Sequence, residues 1–181
     1  MSDLEALEQV LRRRSLTRGE FVLASGKRSS YYIDCRRTTM AAEGLALVGR
    51  TGLAAIRKAG WDPVAVGGLT MGADPVAYAI AMASGSTDLV VDAFSVRKAA
   101  KEHGAKRRVE GNFSAGDRVV VVEDVITTGG SALQAIAALE EEGGVILGVL
   151  AVVDREEGGR EAIETRGHAV VALTTSSALL A

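Results

Sequence analysis

Residues 119–131 constrain the fold of this chain more than any other stretch. Four consecutive valines open the stretch, and such a run is typical of a parallel strand that helices cover on both faces. The run ends at two carboxylates, Glu123 and Asp124, and a turn of small and hydroxyl-bearing residues leads into a helix-forming sequence from Ala132. A buried strand, an acidic pair, a glycine turn and a helix start therefore meet at one point.

The glycine turn predicts a binding site for a phosphate monoester. Glycines let the backbone turn sharply with its N–H groups directed inward, and a helix start adds unpaired donors and a positive dipole end. Glu123 and Asp124 would repel a phosphate but suit the vicinal hydroxyls of a sugar, so the pattern indicates a ribose phosphate. The alternative is an ordinary turn in which Thr127, Thr128 or Ser131 only caps the helix. Capping alone does not require two adjacent carboxylates.

The same segment resembles the signature of the type I phosphoribosyltransferases, and Glu-Asp-Val-Ile-Thr-Thr-Gly-Gly-Ser is most similar to the orotate branch. The resemblance implies that the acidic pair binds the ribose 2′ and 3′ hydroxyls of phosphoribosyl pyrophosphate (PRPP), and that the loop binds its 5′-phosphate. The implied PRPP-binding residues are Glu123, Asp124, Val125, Ile126, Thr127, Thr128, Gly129, Gly130 and Ser131. The glycine patterns of dinucleotide folds and P-loops do not occur in the sequence.

Length and composition fit a single α/β domain. The chain has 181 residues, of which 48% are hydrophobic and only 4% aromatic, so we expect a core of mainly Val, Leu, Ile and Ala. A net charge of −2 provides no global basic field to attract nucleic acid. The single cysteine, Cys35, excludes an internal disulfide and favours a reducing cytoplasm. No secretory or membrane-spanning apolar run occurs in the sequence, so we expect no membrane partner.

Two short strands around a Ser-Gly-Lys turn are predicted over residues 20–34, after an amphipathic first helix. The pattern Phe-x-Leu-x-Ser-Gly-x-x-Ser-x-x-Tyr is similar to the segment that covers the base in orotate phosphoribosyltransferases. The resemblance implies a small N-terminal hood formed mainly by residues 1–38. Some family members carry a phosphate-contacting lysine where this chain has Ala24, and the sequence leaves open whether Lys27 or Arg28 replaces it.

A second glycine-rich turn, residues 67–75, follows a short predicted strand at 62–66. Asp74 as N-cap and Pro75 at the first helical position predict where the next helix begins. In type I phosphoribosyltransferases a loop at this position binds pyrophosphate, whereas the alternative is a plain capped turn. Some orotate enzymes have a lysine where this chain has Gly72, so pyrophosphate contacts would have to come from main-chain N–H groups.

A strongly basic segment begins at residue 97, with six basic residues and one acidic residue up to residue 108. Gly104 and Gly111 offer hinges, and we predict a mobile loop over 97–111. The alternatives are a solvated charge run or a nucleic-acid contact, although no aromatic residue is interleaved for base stacking. The order Arg-Lys-x-x-Lys-x-His-Gly resembles the catalytic loop of orotate phosphoribosyltransferases. The resemblance implies catalytic and PRPP-binding roles for Arg97, Lys98, Lys101 and His103.

A further predicted strand, residues 145–153, leads into a polar turn that contains Arg155. The plain alternative is a surface arginine. A cation at the carboxyl end of a strand beside the phosphate-binding strand could instead receive the carboxylate of orotate in a bidentate pair. The family has a base-binding arginine that Arg155 matches, and the same correspondence implies that Thr127 also contacts orotate.

These patterns and the resemblance together imply a type I phosphoribosyltransferase fold, with a mostly parallel, twisted sheet flanked by helices in one domain over residues 1–181. The implied enzyme is a glycosyltransferase that moves a phosphoribosyl group from PRPP to orotate, which yields orotidine 5′-phosphate and pyrophosphate in pyrimidine biosynthesis. Mg²⁺ is expected to be held mainly through PRPP and to stabilise charge on the leaving pyrophosphate.

The resemblance also implies an assembly and leaves alternatives for the function. In the family the catalytic loop reaches into the neighbouring subunit's site, so we expect a homodimer with shared active sites, a cytoplasmic location and no nucleic-acid partner. A phosphoribosyltransferase for another base would share the phosphate site. A non-catalytic regulator that senses PRPP on the same fold would also keep that site but would lack a catalytic loop.

Overall fold

A computed structural model describes residues 1–22, 26, 28–99 and 107–181 of the chain. In chain order, its helices and strands are α1 (Asp3–Arg14), β1 (Leu16–Val22), β2 (Arg28–Ile33), α2 (Arg36–Thr39), α3 (Ala42–Lys58), β3 (Ala65–Leu69), α4 (Ala73–Ser84), β4 (Asp92–Val96), β5 (Val109–Gly111), β6 (Arg118–Ile126), α5 (Gly130–Glu141), β7 (Val145–Asp154), α6 (Gly159–Glu164), β8 (Val170–Thr175) and α7 (Ser176–Leu180). This alternation confirms the predicted α/β class.

The valine strand β6 lies inside a six-stranded sheet with the order β5-β4-β3-β6-β7-β8. Strands β4, β3, β6, β7 and β8 pair in parallel, whereas β5 pairs with β4 in the antiparallel direction. The predicted mostly parallel sheet is therefore confirmed. In the described part of the chain, no helix has both the length and the apolar character needed to cross a membrane.

The four valines 119–122 have no exposed surface, because helices cover both faces of the sheet. Val120 and Val122 face a core that contains side chains of α1, α3 and α4, while Val119 and Val121 face a core built with α5. Burying one such side chain stabilises the fold by about 1.5–3 kcal/mol relative to leaving it exposed. A strand buried on both faces has a fixed register, which in turn fixes the direction of the two carboxylates that follow it.

The parallel strands β3, β6 and β7 end at one edge of the sheet. Ile126, the last residue of β6, pairs with Asp154, the last residue of β7. Because parallel strands share their direction, the turns that follow them meet at this edge, where open α/β sheets bind ligands. The three turns comprise residues 70–72, 127–129 and 155–158.

Strands β1 and β2 form a separate two-stranded antiparallel sheet, as the N-terminal sequence pattern predicts. Ile33 at the end of β2 is buried in the core on the α3 side of the main sheet, and Tyr31 packs against the same core. The small sheet is therefore attached to the large one through its second strand, which leads directly to the edge that carries the three turns.

Candidate active site

The acidic pair lies at the end of β6 with its two carboxylates on opposite faces, because successive side chains of a strand alternate. Glu123 faces the turn after β6, and it is only 5% exposed. Its Oε1 atom has no hydrogen-bond partner among the described residues. Burial, with a smaller contribution from the charge of Asp124, raises the pKa of Glu123 to about 8. A raised pKa favours the protonated form of this carboxyl.

Asp124 lies on the other face, against the turn between β3 and α4. Burial raises the pKa of this carboxyl, while a 2.9 Å hydrogen bond from the N–H of Val125 and the charge of Arg36 act in the opposite direction. A Cβ atom at position 72 would lie 2.6 Å from Oδ1 of Asp124. Gly72 therefore leaves the space that this carboxylate occupies, and any side chain there would displace it.

The turn at residues 70–72 differs from the prediction in how the next helix begins. Helix α4 starts at Ala73, so the prediction that Asp74 is its N-cap is wrong. The carboxylate of Asp74 instead accepts hydrogen bonds from the hydroxyls of Thr70 at 2.6 Å and Ser95 at 2.7 Å. These bonds tie the turn to β4, and within the described chain the N-cap position of α4 provides no side-chain cap.

Residues 127–131 surround a concavity of about 90 Å³ that has Glu123 in its wall, and we call this turn the cradle. Gly129, the N-cap residue of α5, has a φ of +79°, and a Cβ atom there would lie 2.7 Å from the carbonyl oxygen of Gly159. Both features require glycine. No threonine or serine hydroxyl of the cradle caps α5 in the described chain, so the capping alternative is wrong. The N–H groups at the helix start remain available to an anion.

A second cavity of about 360 Å³ opens beside the cradle and shares Glu123, Val125 and Ser131 with it. We call it the central cavity. Its walls bring together segments that are far apart in the sequence, among them Asp34, Arg36, Met71, Gly72, Lys98 and Asp124. The acidic pair, the predicted pyrophosphate turn and one of the predicted loop cations therefore lie around one space.

The basic segment is described at residues 97–99 and 107–111. Lys98 lines the central cavity, and its carbonyl oxygen accepts from the side-chain amide of Gln134 at 3.3 Å. Arg97 lines neither the cradle nor the central cavity. Its Nε atom lies 3.0 Å from Oε1 of Glu110, and its backbone N–H donates to the carbonyl oxygen of Arg108 at 2.8 Å. The structure thus separates two neighbouring residues that the sequence analysis grouped together.

Several residues named in the sequence analysis lie outside the described residues. These are the predicted catalytic residues Lys101 and His103 and the predicted hinge Gly104, together with Ala24 and Lys27 in the N-terminal turn. Arg28 is described as the first residue of β2, where it is exposed, and it does not line the cradle or the central cavity.

Arg155 is a buried cation at the end of β7, with only 6% of its surface exposed. Its guanidinium carbon lies 5.2 Å from the ring centre of Tyr31, a cation–π contact, and its Nη2 lies 2.7 Å from Oε1 of Glu157. The contact with Glu157 is close enough for an ion pair but lacks hydrogen-bond alignment, since Nε and Nη2 have no hydrogen-bond partner in the described chain. Buried donors of this kind require an acceptor.

The backbone of Arg155 connects it to the cradle. Its N–H donates to the carbonyl oxygen of Ile126 at 2.9 Å, immediately before Thr127. The two residues that the resemblance assigned to orotate therefore lie next to each other across the ends of β6 and β7.

Sequence reasoning missed Tyr31, which the fold brings to Arg155, and it missed Asp34 and Arg36, which line the central cavity. Tyr31 covers Arg155, while the Arg36 side chain pairs with Asp34 at 3.0 Å and lies within electrostatic reach of Asp124. The acidic and basic residues that directly follow β2 were a usable signal, because polar residues at the end of a strand often belong to a site. The position of Tyr31 had no such signal.

A larger concavity lies elsewhere. It measures about 530 Å³ and lies between α1, α3 and β8, with mainly apolar walls around Arg50 and Lys58. None of the residues that the sequence analysis assigned to a site lines it. The cradle and the central cavity are therefore the better candidates, because their walls contain the carboxyl groups with raised pKa values, Glu123 and Asp124.

Comparisons with known proteins identify relatives that are phosphoribosyltransferases. The family model described as phosphoribosyl transferase domain matches residues 42–172. The orotate phosphoribosyltransferase of Mycobacterium avium is 50% identical over 165 residues, which cover 91% of this chain and 89% of that protein. The orotate phosphoribosyltransferase of Aquifex aeolicus is 46% identical over 183 residues, with 99% of both chains covered.

Solved structures give the same result. The crystal structure of the Mycobacterium tuberculosis orotate phosphoribosyltransferase in complex with 5-phospho-alpha-D-ribosyl 1-diphosphate, which is PRPP, aligns with a TM-score of 0.83. That alignment has 41% sequence identity and covers 99% of this chain and 100% of the other. The similarity therefore extends over the whole fold and includes both candidate cavities.

Proposed function

This chain belongs to the orotate phosphoribosyltransferase family, and we propose on that premise which of its residues carry out the reaction. The enzyme transfers the phosphoribosyl group of PRPP to orotate, which yields orotidine 5′-phosphate and pyrophosphate in pyrimidine biosynthesis. One observation supports the proposed residue roles most strongly. The buried Oε1 of Glu123 has no hydrogen-bond partner among the described residues, and it lies beside the start of α5, which has no side-chain cap.

The PRPP site is proposed to combine the cradle with the acidic pair. The 5′-phosphate would accept hydrogen bonds from the N–H groups of residues 128–131 and from the hydroxyls beside them, with the positive end of the α5 dipole behind it. Glu123 and Asp124 would bind the ribose 2′ and 3′ hydroxyls. A hydroxyl group would give Oε1 of Glu123 the partner that it lacks in the free protein.

The orotate site is proposed to lie between Thr127 and Arg155. The carboxylate of orotate would accept hydrogen bonds from Nε and Nη2 of Arg155, which have no hydrogen-bond partner among the described residues and lie in a planar group suited to a bidentate contact. Tyr31 holds that guanidinium from the other side. Because orotate already carries a deprotonatable nitrogen, Asp124 is not needed as a base.

The pyrophosphate is proposed to bind in the central cavity, between the main-chain N–H groups of the 70–72 turn and Lys98. As pyrophosphate leaves, negative charge grows on it, and a fixed cation at this position stabilises the transition state. Lys101 and His103 are proposed to act on the same group, with His103 able to donate a proton. Loop closure over the site would exclude water and so suppress hydrolysis of PRPP.

Mg²⁺ is proposed to enter with PRPP. In the described part of the chain, no three metal-binding side chains come together, so the ligands would be mainly pyrophosphate and ribose oxygens. The carboxylates of Asp34 and Asp124 in the cavity wall suit the hydrated shell of a hard cation. When bound, the ion would neutralise charge on the leaving group.

The whole chain, residues 1–181, is proposed to form one phosphoribosyltransferase domain. Its hood would consist mainly of residues 1–38, which include the separate sheet of β1 and β2 and end beside the central cavity. The mobile loop proposed for residues 97–111 ends in β5, so its moving part would lie before residue 109.

A homodimer with shared active sites is proposed from the surface of α4 and the position of Arg97. Tyr78 and Met82 are 54% and 83% exposed and lie four residues apart on one side of α4, and Met71, in the turn before the helix, is 60% exposed. Met71 also lines the central cavity, so a second copy on this surface would reach the site. Arg97 pairs with Glu110 and does not line the central cavity of its own chain, which leaves a role in the partner's site as the proposed one.

A cytoplasmic location is proposed from the state of the single cysteine. Cys35 is a buried free thiol beside Asp34, and burial raises its pKa well above the ordinary value. A structural thiol of this kind is compatible with a reducing compartment.

The experiment that tests the function follows the fall in orotate absorbance after addition of PRPP and Mg²⁺, with adenine, hypoxanthine and uracil run alongside. We expect turnover of orotate alone, because the unpaired donors of Arg155 match a carboxylate that the other bases lack. Turnover of another base with none of orotate would contradict the base site, and binding of PRPP without turnover of any base would contradict the enzyme.

A further inference from the structure

Glu156, the residue directly after Arg155, has an unusual backbone conformation. Its φ of +58° lies in the left-handed region, and it is the one non-glycine residue of the described chain with a positive φ. Side chains with a Cβ atom disfavour this region, and such residues persist only where the surrounding structure holds them. Contacts with neighbouring segments must therefore hold Glu156 in this conformation, next to the proposed substrate contact.

Hydrogen bonds hold Glu156 on both sides. Its backbone N–H donates to Oδ1 of Asp154 at 2.8 Å, and the other oxygen of Asp154 is fixed by Arg160 at 2.9 Å. Its carboxylate accepts from the hydroxyl of Ser176 at 3.0 Å and from the N–H and hydroxyl of Ser177 at 2.8 and 2.9 Å. The left-handed turn is therefore clamped between the end of β7 and the start of α7.

Helix α7 is itself attached to the N-terminal part of the chain. The Arg12 side chain donates to the carbonyl oxygens of Ala178 and Leu179 at 2.5 and 3.1 Å, and Arg18 donates to that of Leu180 at 3.0 Å. Five residues alone would not make a stable helix, so these contacts and the Glu156 clamp give α7 its position.

The same clamp reaches the backbone of Arg155. The Ser176 hydroxyl lies 2.9 Å from the Arg155 carbonyl oxygen, so its single hydrogen is shared between that oxygen and the Glu156 carboxylate. The Arg155 N–H is fixed to Ile126 at 2.9 Å. Both peptide groups of Arg155 are thus held by other segments, which fixes the point from which its side chain extends to the ring of Tyr31.

We propose that Glu156 is a positioning residue for orotate: by clamping α7 to the end of β7, it fixes the turn that directs the Arg155 guanidinium at the substrate carboxylate. Glu156 itself does not touch the substrate. The proposal rests on the role of Arg155 under the proposed function. It predicts that the clamp affects orotate and not PRPP, since the cradle is formed by a different turn.

The test measures the KM values for orotate and PRPP in Glu156→Ala, Glu156→Gln and Glu161→Ala. Glu161 is an exposed glutamate on α6 with no described side-chain contact, so Glu161→Ala is the matched control. We expect Glu156→Ala to raise the KM for orotate about tenfold and leave the KM for PRPP within about twofold, as a loss of about 1.4 kcal/mol in orotate binding would do. Glu156→Gln keeps one acceptor oxygen and should recover most of this loss.

Thermal unfolding of each variant separates positioning from stability. A folded Glu156→Ala protein with unchanged orotate KM, or with both KM values raised equally, would overturn the proposal, because a plain helix cap predicts only lower stability. If Glu156→Ala does not fold, Ser177→Ala is used in its place, because it removes one hydrogen bond to the Glu156 carboxylate. The KM values for orotate and PRPP of that variant then test the proposal in the same way.

Arg155→Ala, measured alongside, distinguishes the two possible failures. If it leaves the KM for orotate unchanged, the proposed role of Arg155 and the inference both fail. If it raises that KM and the clamp variants do not, only the inference about Glu156 fails.

Discussion

The two turns at the ends of β6 and β7 have the same local form and are built in different ways. Each follows a buried strand and leads into a helix whose N-cap residue is a left-handed glycine, Gly129 with φ +79° in the first and Gly158 with φ +89° in the second. The cradle after β6 consists of its own backbone and the side chains of one short segment. The turn after β7 depends on Tyr31 and α7, which lie far away in the sequence.

The difference suggests how the two substrates are bound. A phosphate can be held by main-chain N–H groups and a helix dipole, both of which a local sequence supplies. A flat base with a carboxylate needs an aimed cation, and a buried cation must be held by several segments to keep its direction. We therefore expect changes in the cradle to affect PRPP and changes around Arg155 to affect orotate.

The largest effect is expected for Arg155→Ala. Loss of a buried, charge-assisted contact with the substrate carboxylate should lower kcat/KM for orotate about 100- to 1000-fold, or about 3–4 kcal/mol. The KM for PRPP should stay within about twofold of the original value. Arg166→Ala, at an exposed arginine without a described side-chain contact, is the control and should have no effect. An equal loss of affinity for both substrates would contradict the separation of the two sites.

The next effect concerns pH and Glu123, whose pKa is raised to about 8 in the folded protein. In the unfolded chain this carboxyl ionises near its ordinary value, so between the two pKa values the unfolded state binds fewer protons. The free energy of unfolding therefore falls as pH rises through this range, by about 2 kcal/mol from pH 6 to pH 8, and this contribution levels off above the folded pKa.

Glu123→Gln removes this titration and should flatten the pH dependence. Urea unfolding at pH 6 and pH 8 of both proteins measures the difference directly. If the two proteins lose the same free energy of unfolding between these pH values, Glu123 is ionised in the folded protein at neutral pH and the assignment of its proton is wrong.

A somewhat smaller loss of stability is expected for Gly129→Ala. The positive φ and the approach of a Cβ atom to within 2.7 Å of Gly159 should reduce the free energy of unfolding by about 1–2 kcal/mol. Gly130→Ala is the matched control, because a Cβ atom there meets only Thr128 Oγ1 at 3.7 Å. Urea unfolding of the two variants should therefore differ, and equal stability would show that the cradle does not require this glycine.

The last predicted effect, on substrate binding, is that of Gly72→Ala. A methyl group would push against the Asp124 carboxylate, and we expect the KM for PRPP to rise about tenfold while the KM for orotate stays nearly constant. Gly85→Ala, at the other end of α4 with no atom closer than 3.6 Å to its Cβ position, should leave both values unchanged. An unchanged KM for PRPP in Gly72→Ala would remove Asp124 from ribose binding.

The cradle could be predicted from the sequence because its cause is local. The valine run indicates burial on both faces, and the acidic pair and glycines follow it directly, so the strand, turn and helix were predicted in the correct order. The strand continues two residues beyond the acidic pair, to Ile126, and the helix begins at Gly130, two residues before the predicted start. The start of α4 was predicted wrongly for the opposite reason. Asp74 is engaged by Thr70 and by Ser95 of a different strand, and no local pattern shows that contact.

The turn after β7 was also only partly predictable from the sequence. Arg155 was proposed from its place after a strand and from the family resemblance, but the residues that hold it could not be found from their spacing. Tyr31 reaches it from the small sheet, and Ser176 reaches it from the end of the chain. These contacts depend on how separate elements pack, which hydrophobic periodicity does not specify.

The central claim is that the PRPP site and the orotate site are separately built, and one crossed measurement tests it most directly. The KM values for PRPP and orotate should be determined for Gly129→Ala and Arg155→Ala under identical conditions. We predict that Gly129→Ala raises the KM for PRPP and leaves that for orotate nearly unchanged, and that Arg155→Ala does the reverse. If each variant raises both KM values by the same factor, the two turns form one binding unit and the claim is contradicted.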